Sequence, residues 1–200
     1  MQHLSTARRR MVQNFTGLAL YFSLGSAAVL TSRKSLAQAN LTPSCGAQTP
    51  AQLAGPFFTP NSPERSNLIR STDNAPKIQI VGEVLDGSCR PVPGAMLDFW
   101  QSDERGNYDN RSDKLRGHQF ADAQGGFSLL SLMPGEYPGR TPHLHVKVQR
   151  RNGPVLTTQL YFPNHPRNRR DFLYDQRLLL EPRGTNLFLD LSYHLKKIKP

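Results

Sequence analysis

Apolar residues along this chain recur mostly every second position in short runs, and the runs are separated by turn-forming residues. Segments 78–85, 95–100, 126–130, 143–148, 156–162 and 187–195 each read as a strand of five to nine residues. Between them stand Asp86-Gly87, Pro93-Gly94, Gln124-Gly125-Gly126 and Asn152-Gly153-Pro154, sequences suited to tight turns. Helical periodicity is weak everywhere; 170–180 allows one or two turns, ended by Glu181-Pro182. The pattern predicts an all-β fold, a single β-sandwich domain of mostly antiparallel strands with long loops.

One apolar run breaks the pattern. Residues 1–14 are polar and basic, 15–30 are apolar without a charge, and Ala37-Gln38-Ala39 offers a small-x-small processing site. This is the layout of a signal peptide over 1–39, and its apolar run is short of the roughly 20 residues that span a bilayer. No stable membrane anchor is expected. Ala7-Arg8-Arg9-Arg10-Met11-Val12-Gln13 resembles a twin-arginine export signal, with Ala7 and Gln13 departing from the usual Ser and Lys. An exported chain, periplasmic or extracellular, is therefore expected, and in that compartment Cys45 and Cys89 can close one bridge; the sequence does not decide whether they do. After the leader, 40–76 is proline-rich and reads as an extended N-terminal arm that packs locally, and 77–200 as the β-sandwich core.

The formal charge of +10 suggests nucleic acid until its distribution is considered. Five of the 25 basic residues lie before Asn40 and no acidic residue does, which leaves 20 against 15 in the rest. Arg167, Arg169 and Arg170, and Lys196, Lys197 and Lys199, lack the interleaved aromatics of single-strand binders and read as solvated surface. No nucleic-acid partner is expected.

The chemistry gathers around His143-Leu144-His145. On a strand both imidazoles point to one face, and Leu144 and Val146 to the other. Upstream, 134–142 holds three prolines and two glycines, a stiff loop that places Tyr137 and Arg140 beside the histidines. A second tyrosine, Tyr108, follows the strand 95–100 in a polar, glycine-containing loop. Two phenolates and two neutral imidazoles form a hard anionic set that favours Fe(III) over Zn(II). Phe99 and Trp100 read as core residues at a strand end, and His118 as exposed.

In these segments the chain resembles the intradiol ring-cleavage dioxygenases, close to the protocatechuate 3,4-dioxygenase branch. The resemblance rests on GPFF at 55–58, on PxPGAxxDxWQxDxxGxY at 91–108, on PGxYPGRTPHxHVKV at 134–148 and on TQLYF at 158–162. It implies one non-haem Fe(III) per chain, held by Tyr108, Tyr137, His143 and His145, with Arg140 and Gln159 lining the pocket. It further implies that a catechol-type diol binds the iron through both oxygens, displacing hydroxide and one tyrosinate, Tyr137 being the better candidate. O2 then opens the ring to a muconate-type diacid, while Arg140 stabilises charge on the ring and Gln159, on one strand face with Tyr161, orients a substrate oxygen or fixes a histidine tautomer. Two departures stand out: the loop from Tyr137 to His143 is shorter than in the larger protocatechuate enzymes, and there is no N-terminal helical segment like that of the catechol and hydroxyquinol members. The chosen diol and the oligomeric state stay open. The rival from another class is a non-catalytic, transthyretin-like β-sandwich binding module, against which the two tyrosines argue. A Zn(II) hydrolase would want a carboxylate base beside the histidines, and none adjoins them.

Overall fold

The computed structural model describes residues 47–182 and, as backbone, 191–194. The leader, Cys45 and the terminal lysines lie outside them. Eight strands follow in chain order: β1 Lys77–Glu83, β2 Met96–Gln101, β3 Arg116–Phe120, β4 Gly126–Leu132, β5 His143–Gln149, β6 Val155–Tyr161, β7 Glu181–Pro182 and β8 Leu191–His194. They form two four-stranded sheets, ordered β4-β1-β8-β7 and β3-β2-β5-β6. All pairings are antiparallel except β1 with β8. The all-β reading holds.

Alternation decides what each strand buries. In the second sheet Leu97 pairs with Val148, Phe99 with Val146, and Leu144 with Leu160. These residues join Ile78, Ile80 and Leu129 of the first sheet in one core between the layers. The intervening residues, Asp98, Trp100, His143, His145, Lys147, Gln159 and Tyr161, therefore stand on the outer face of that sheet.

Three expectations change. Strand β3, RGHQF, was not foreseen, because its one large apolar residue, Phe120, is half exposed and an edge strand carries little alternation. The helical reading of 170–180 gives way to two single 3-10 turns, Asn168–Arg170 and Gln176–Leu178. The arm does not pack locally. Gln52 N–H donates to Thr157 C=O at 2.8 Å, Arg65 N–H to His118 C=O at 2.8 Å, and Leu68 N–H to Leu130 C=O at 2.9 Å, so the arm is laced over β6, β3 and β4. With Phe57 and Phe58 it roofs the outer face. Cys89 is disulfide-bonded.

Candidate metal centre

The two histidines come from β5, on its outer face, 2% and 1% exposed. The ladder sets their neighbours: His145 lies opposite Trp100 of β2 and Gln159 of β6, and His143 opposite Tyr161. The tyrosines come from loops, Tyr108 between β2 and β3 and Tyr137 between β4 and β5. One backbone crossing locks these loops together. Asp103 C=O accepts from Gly106 N–H at 3.0 Å and from Gly135 N–H at 2.8 Å. A Cβ on Gly106 would overlap the Glu136 carbonyl, and one on Gly135 the Glu104 carbonyl. Gly106 also has φ +81°, in the left-handed region that side chains avoid. No other residue lets the two loops approach so closely.

The four side chains converge. His143 Nε2 lies 3.1 Å from His145 Nε2 and 3.5 Å from the Tyr108 hydroxyl. The tyrosine rings stand 5.7 Å apart at 80°, and Tyr137 is 5.6 Å from the His143 ring. The Phe57 ring stacks on Tyr108 at 4.3 Å and meets Tyr137 edge-on at 6.0 Å.

Electrostatics fits a cation here. Burial, aided by the Arg140 charge, pushes His143 down to about 4; burial, with His143 and Arg140, pushes His145 down to about 2. Both imidazoles are neutral at ordinary pH. His143 Nδ1 sits 2.6 Å from the Thr141 carbonyl, which can only accept, so Nδ1 carries the proton and Nε2 presents its lone pair to the site. Burial and the neighbouring Tyr137 hold the Tyr108 phenol well above its ordinary value, so a phenolate there needs a strong positive charge at hand. Two nitrogens bound at ~2.0–2.1 Å to one ion can stand about 3 Å apart, which the two Nε2 atoms do. Among the described residues no three His, Cys, Asp or Glu side chains gather as a metal group, so a cation at this place depends on the phenols.

Around these four side chains lies a polar network. Arg140, 7% exposed, is fixed by the turn Tyr137-Pro138-Gly139-Arg140, in which Arg140 N–H donates to Tyr137 C=O at 2.9 Å. Its guanidinium donates to the Tyr137 hydroxyl at 3.0 Å, to Gln159 Oε1, and through Nε to Asp171 at 2.9 Å and 3.1 Å. Burial works against this charge, and the Asp171 bond and Tyr137 overcome it, leaving the Arg140 pKa raised. The arginine thus both pairs with a carboxylate and touches a candidate ligand. Gln159 is fully engaged: Oε1 accepts from Arg140 and, at 3.1 Å, from Tyr161, and Nε2 donates to Leu53 C=O at 3.0 Å. Its hydrogen bonds run to these groups and not to a histidine. The Tyr161 hydroxyl, with one proton to share among these acceptors, also lies 2.7 Å from Leu173 C=O and 2.9 Å from Gln52 Oε1.

Other expectations shift. Trp100 is not a core residue between the sheets but lies on the outer face, stacked on His145. Phe99 is in the core. His118 is half-buried, with Nδ1 2.7 Å from the Ser62 carbonyl, and is not among the four converging side chains. Arg167, Arg169 and Arg170 are all exposed, as expected, and Arg167 pairs at the surface with Glu136 at 2.5 Å.

Three site residues escaped sequence reasoning. Asp171 is 6% exposed and accepts from Thr141 N–H as well as from Arg140, both at 2.9 Å. Arg116, 2% exposed, donates to Phe57 C=O at 3.2 Å, Asn110 Oδ1 at 2.8 Å and the Asp109 carbonyl, holding the Tyr108 loop and the arm together. Phe57 was visible only as part of GPFF. For Asp171 and Arg116 the sequence offers no signal beyond a charge among many.

The dioxygenase family model matches residues 53–187. The catechol 1,2-dioxygenase of Candida albicans is 27% identical over 154 residues, 63% of this chain and 51% of the relative. The protocatechuate 3,4-dioxygenase beta chain of Burkholderia cepacia is 31% identical over 108 residues, 45% of this chain and 46% of that one. The chain spans about half the length of the curated relatives it matches. Among solved structures, the dioxygenase domain of a dioxygenase carbohydrate-binding protein fusion from the cellulolytic bacterium Streptomyces sp. SirexAA-E superposes with a TM-score of 0.73 at 43% identity, covering 77% of this chain and 98% of that domain. The 3-chlorocatechol 1,2-dioxygenase of Rhodococcus opacus 1CP gives 0.69 at 26% identity, covering 76% and 71%. Fold, motif order and sequence agree: the chain belongs to the intradiol ring-cleavage dioxygenase family.

Proposed function

We propose that this protein is an exported, non-haem Fe(III)-dependent intradiol dioxygenase, protocatechuate 3,4-dioxygenase-like, that cleaves catechol-type diols with O2 to muconate-type diacids. Tyr108, Tyr137, His143 and His145 would hold the iron. The observation that carries this reading is the convergence of two neutral imidazoles, buried on a sheet face with their Nε2 atoms 3.1 Å apart, with two phenols delivered by loops. A bound ferric ion would bind both diol oxygens and make the ring reactive towards O2.

The chain's own residues divide the remaining work. Tyr137 rides the loop that carries Arg140, and its oxygen already receives a hydrogen bond from that guanidinium. With that guanidinium on its oxygen, a Tyr137 phenolate would have a charge-assisted partner of its own and could accept a diol proton. Tyr108 is held differently, by the Phe57 stack and by a loop clamped through Arg116, and is suited to stay. Phe57 roofs both phenols and limits water. Asp171 fixes the direction of the Arg140 cation and offsets part of its charge, so Arg140 serves as an oriented hydrogen-bond donor more than as an open anion site. Export is supported by the leader pattern and by the disulfide at Cys89.

Metal analysis and oxygen uptake test the reading together, on protein from iron-replete expression and with catechol, protocatechuate, hydroxyquinol and chlorinated catechols. The expected result is one iron per chain, a coloured solution from phenolate-to-iron charge transfer, and oxygen consumption with at least one diol. A colourless, iron-free sample defeats it. Tyr108→Phe should lose iron, whereas Tyr137→Phe should keep more iron and bind diol poorly; equal iron loss from both refutes the division of roles.

A further inference from the structure

The two histidines are oriented by different means. His143 is tied through Nδ1 to a carbonyl at 2.6 Å. His145 Nδ1 is buried and has no hydrogen-bond partner, and the same holds for Trp100 Nε1 beside it. Their rings lie 4.7 Å apart and within 8° of parallel. The stack is set by the sheet itself, since Trp100 and His145 are opposite each other in the β2–β5 register. Trp100 is 1% exposed and is backed by the Phe58 ring at 4.8 Å and 63°. Lys147 Nζ lies 3.1 Å over Phe58 and 5.9 Å from the Trp100 ring. The arm also passes close to the imidazole, where a Cβ on Gly55 would come to 3.8 Å from His145 Cε1.

A histidine ring turns about χ2 in a broad, shallow well, so a ligating imidazole needs something to choose its plane. A hydrogen bond at the far nitrogen usually does so, and also makes the ligand more basic. We propose that Trp100 is the positioning residue for His145, setting its plane by face-to-face stacking in place of that hydrogen bond. This rests on the iron reading above. The stack gives direction without adding basicity, so His145 is the weaker nitrogen donor of the pair and the ligand through which iron is released.

The test compares the iron-loaded full chain with Trp100→Leu and Trp100→Phe. It measures iron release to excess chelator, the charge-transfer band, and the melting temperature of the iron-free chain. Trp100→Leu is expected to release iron about tenfold faster or more, with a shifted band, as loss of a supporting group beside a ligand does. Trp100→Phe, whose smaller ring overlaps the imidazole less, is expected to release it about two- to threefold faster. A merely structural role would lower the iron-free melting temperature and leave release and band at wild-type values, and that result overturns the proposal. If Trp100→Leu does not fold, Trp100→Phe decides, and release at the wild-type rate overturns it. A wild-type chain that takes no iron defeats the iron reading and this proposal together; an iron-bound wild type with insensitive variants defeats this proposal alone.

Discussion

Along β5, neighbouring residues answer to different demands. Leu144, Val146 and Val148 face the sandwich core, whereas His143, His145 and Lys147 face outward under a roof made by the arm and two loops. Hydrophobic burial fixes the inner set. The outer set is fixed by ring stacking, a carbonyl and a network of hydrogen bonds. One strand therefore serves stability on one face and chemistry on the other, and a shift of a single residue in register would exchange them. The comparison teaches that the site is rigid because its strand is committed elsewhere.

That separation can be broken from either face. His143→Ala should abolish stoichiometric iron binding and ring cleavage while the melting temperature stays near that of the iron-free wild type; metal analysis with thermal unfolding checks this. Leu144→Ala, one residue away and 0% exposed, should cost about 2–5 kcal/mol of stability, while the folded fraction still binds one iron. Denaturant titration with metal analysis tests it, and loss of iron at full stability would erase the distinction between faces. Asp171→Asn should free Arg140 and lower kcat/KM by about 1–3 kcal/mol in transition-state stabilisation, with iron content unchanged; steady-state oxygen uptake measures it. Phe172→Ala should do least. Its side chain is 83% exposed, so unfolding is expected to change by no more than ~0.5 kcal/mol.

Much of this was legible in advance, for physical reasons. The alternation around His143 and His145 is a local property, and so are the prolines and glycines that stiffen the Tyr137 loop. The sandwich followed from the same alternation. What the sequence did not show is what depends on distant partners. Gln52 reads as an ordinary arm residue, yet it contacts Thr157, Tyr161 and Leu173. Asp171 reads as one acid among fifteen until the fold brings Arg140 to it. Trp100, an apolar residue at a strand end, looks like core in any local reading, because only pairing with β5 reveals that its face is the outer one. β3 escaped because Arg116, Gly117 and His118 are kept in line by β2 and the arm, not by their own apolar pattern.

The arm also bears on the order of assembly. Its segment around Gln52 is synthesised early, but its partners at Tyr161 and Leu173 are 109 and 121 residues downstream. The roof of the site thus cannot close until synthesis has reached Leu173, and contacts of such long sequence separation form late and slowly. If the sheet pairs before this roof closes, its outer face stays open for an interval, and in the proposed iron enzyme that is when a metal ion would enter.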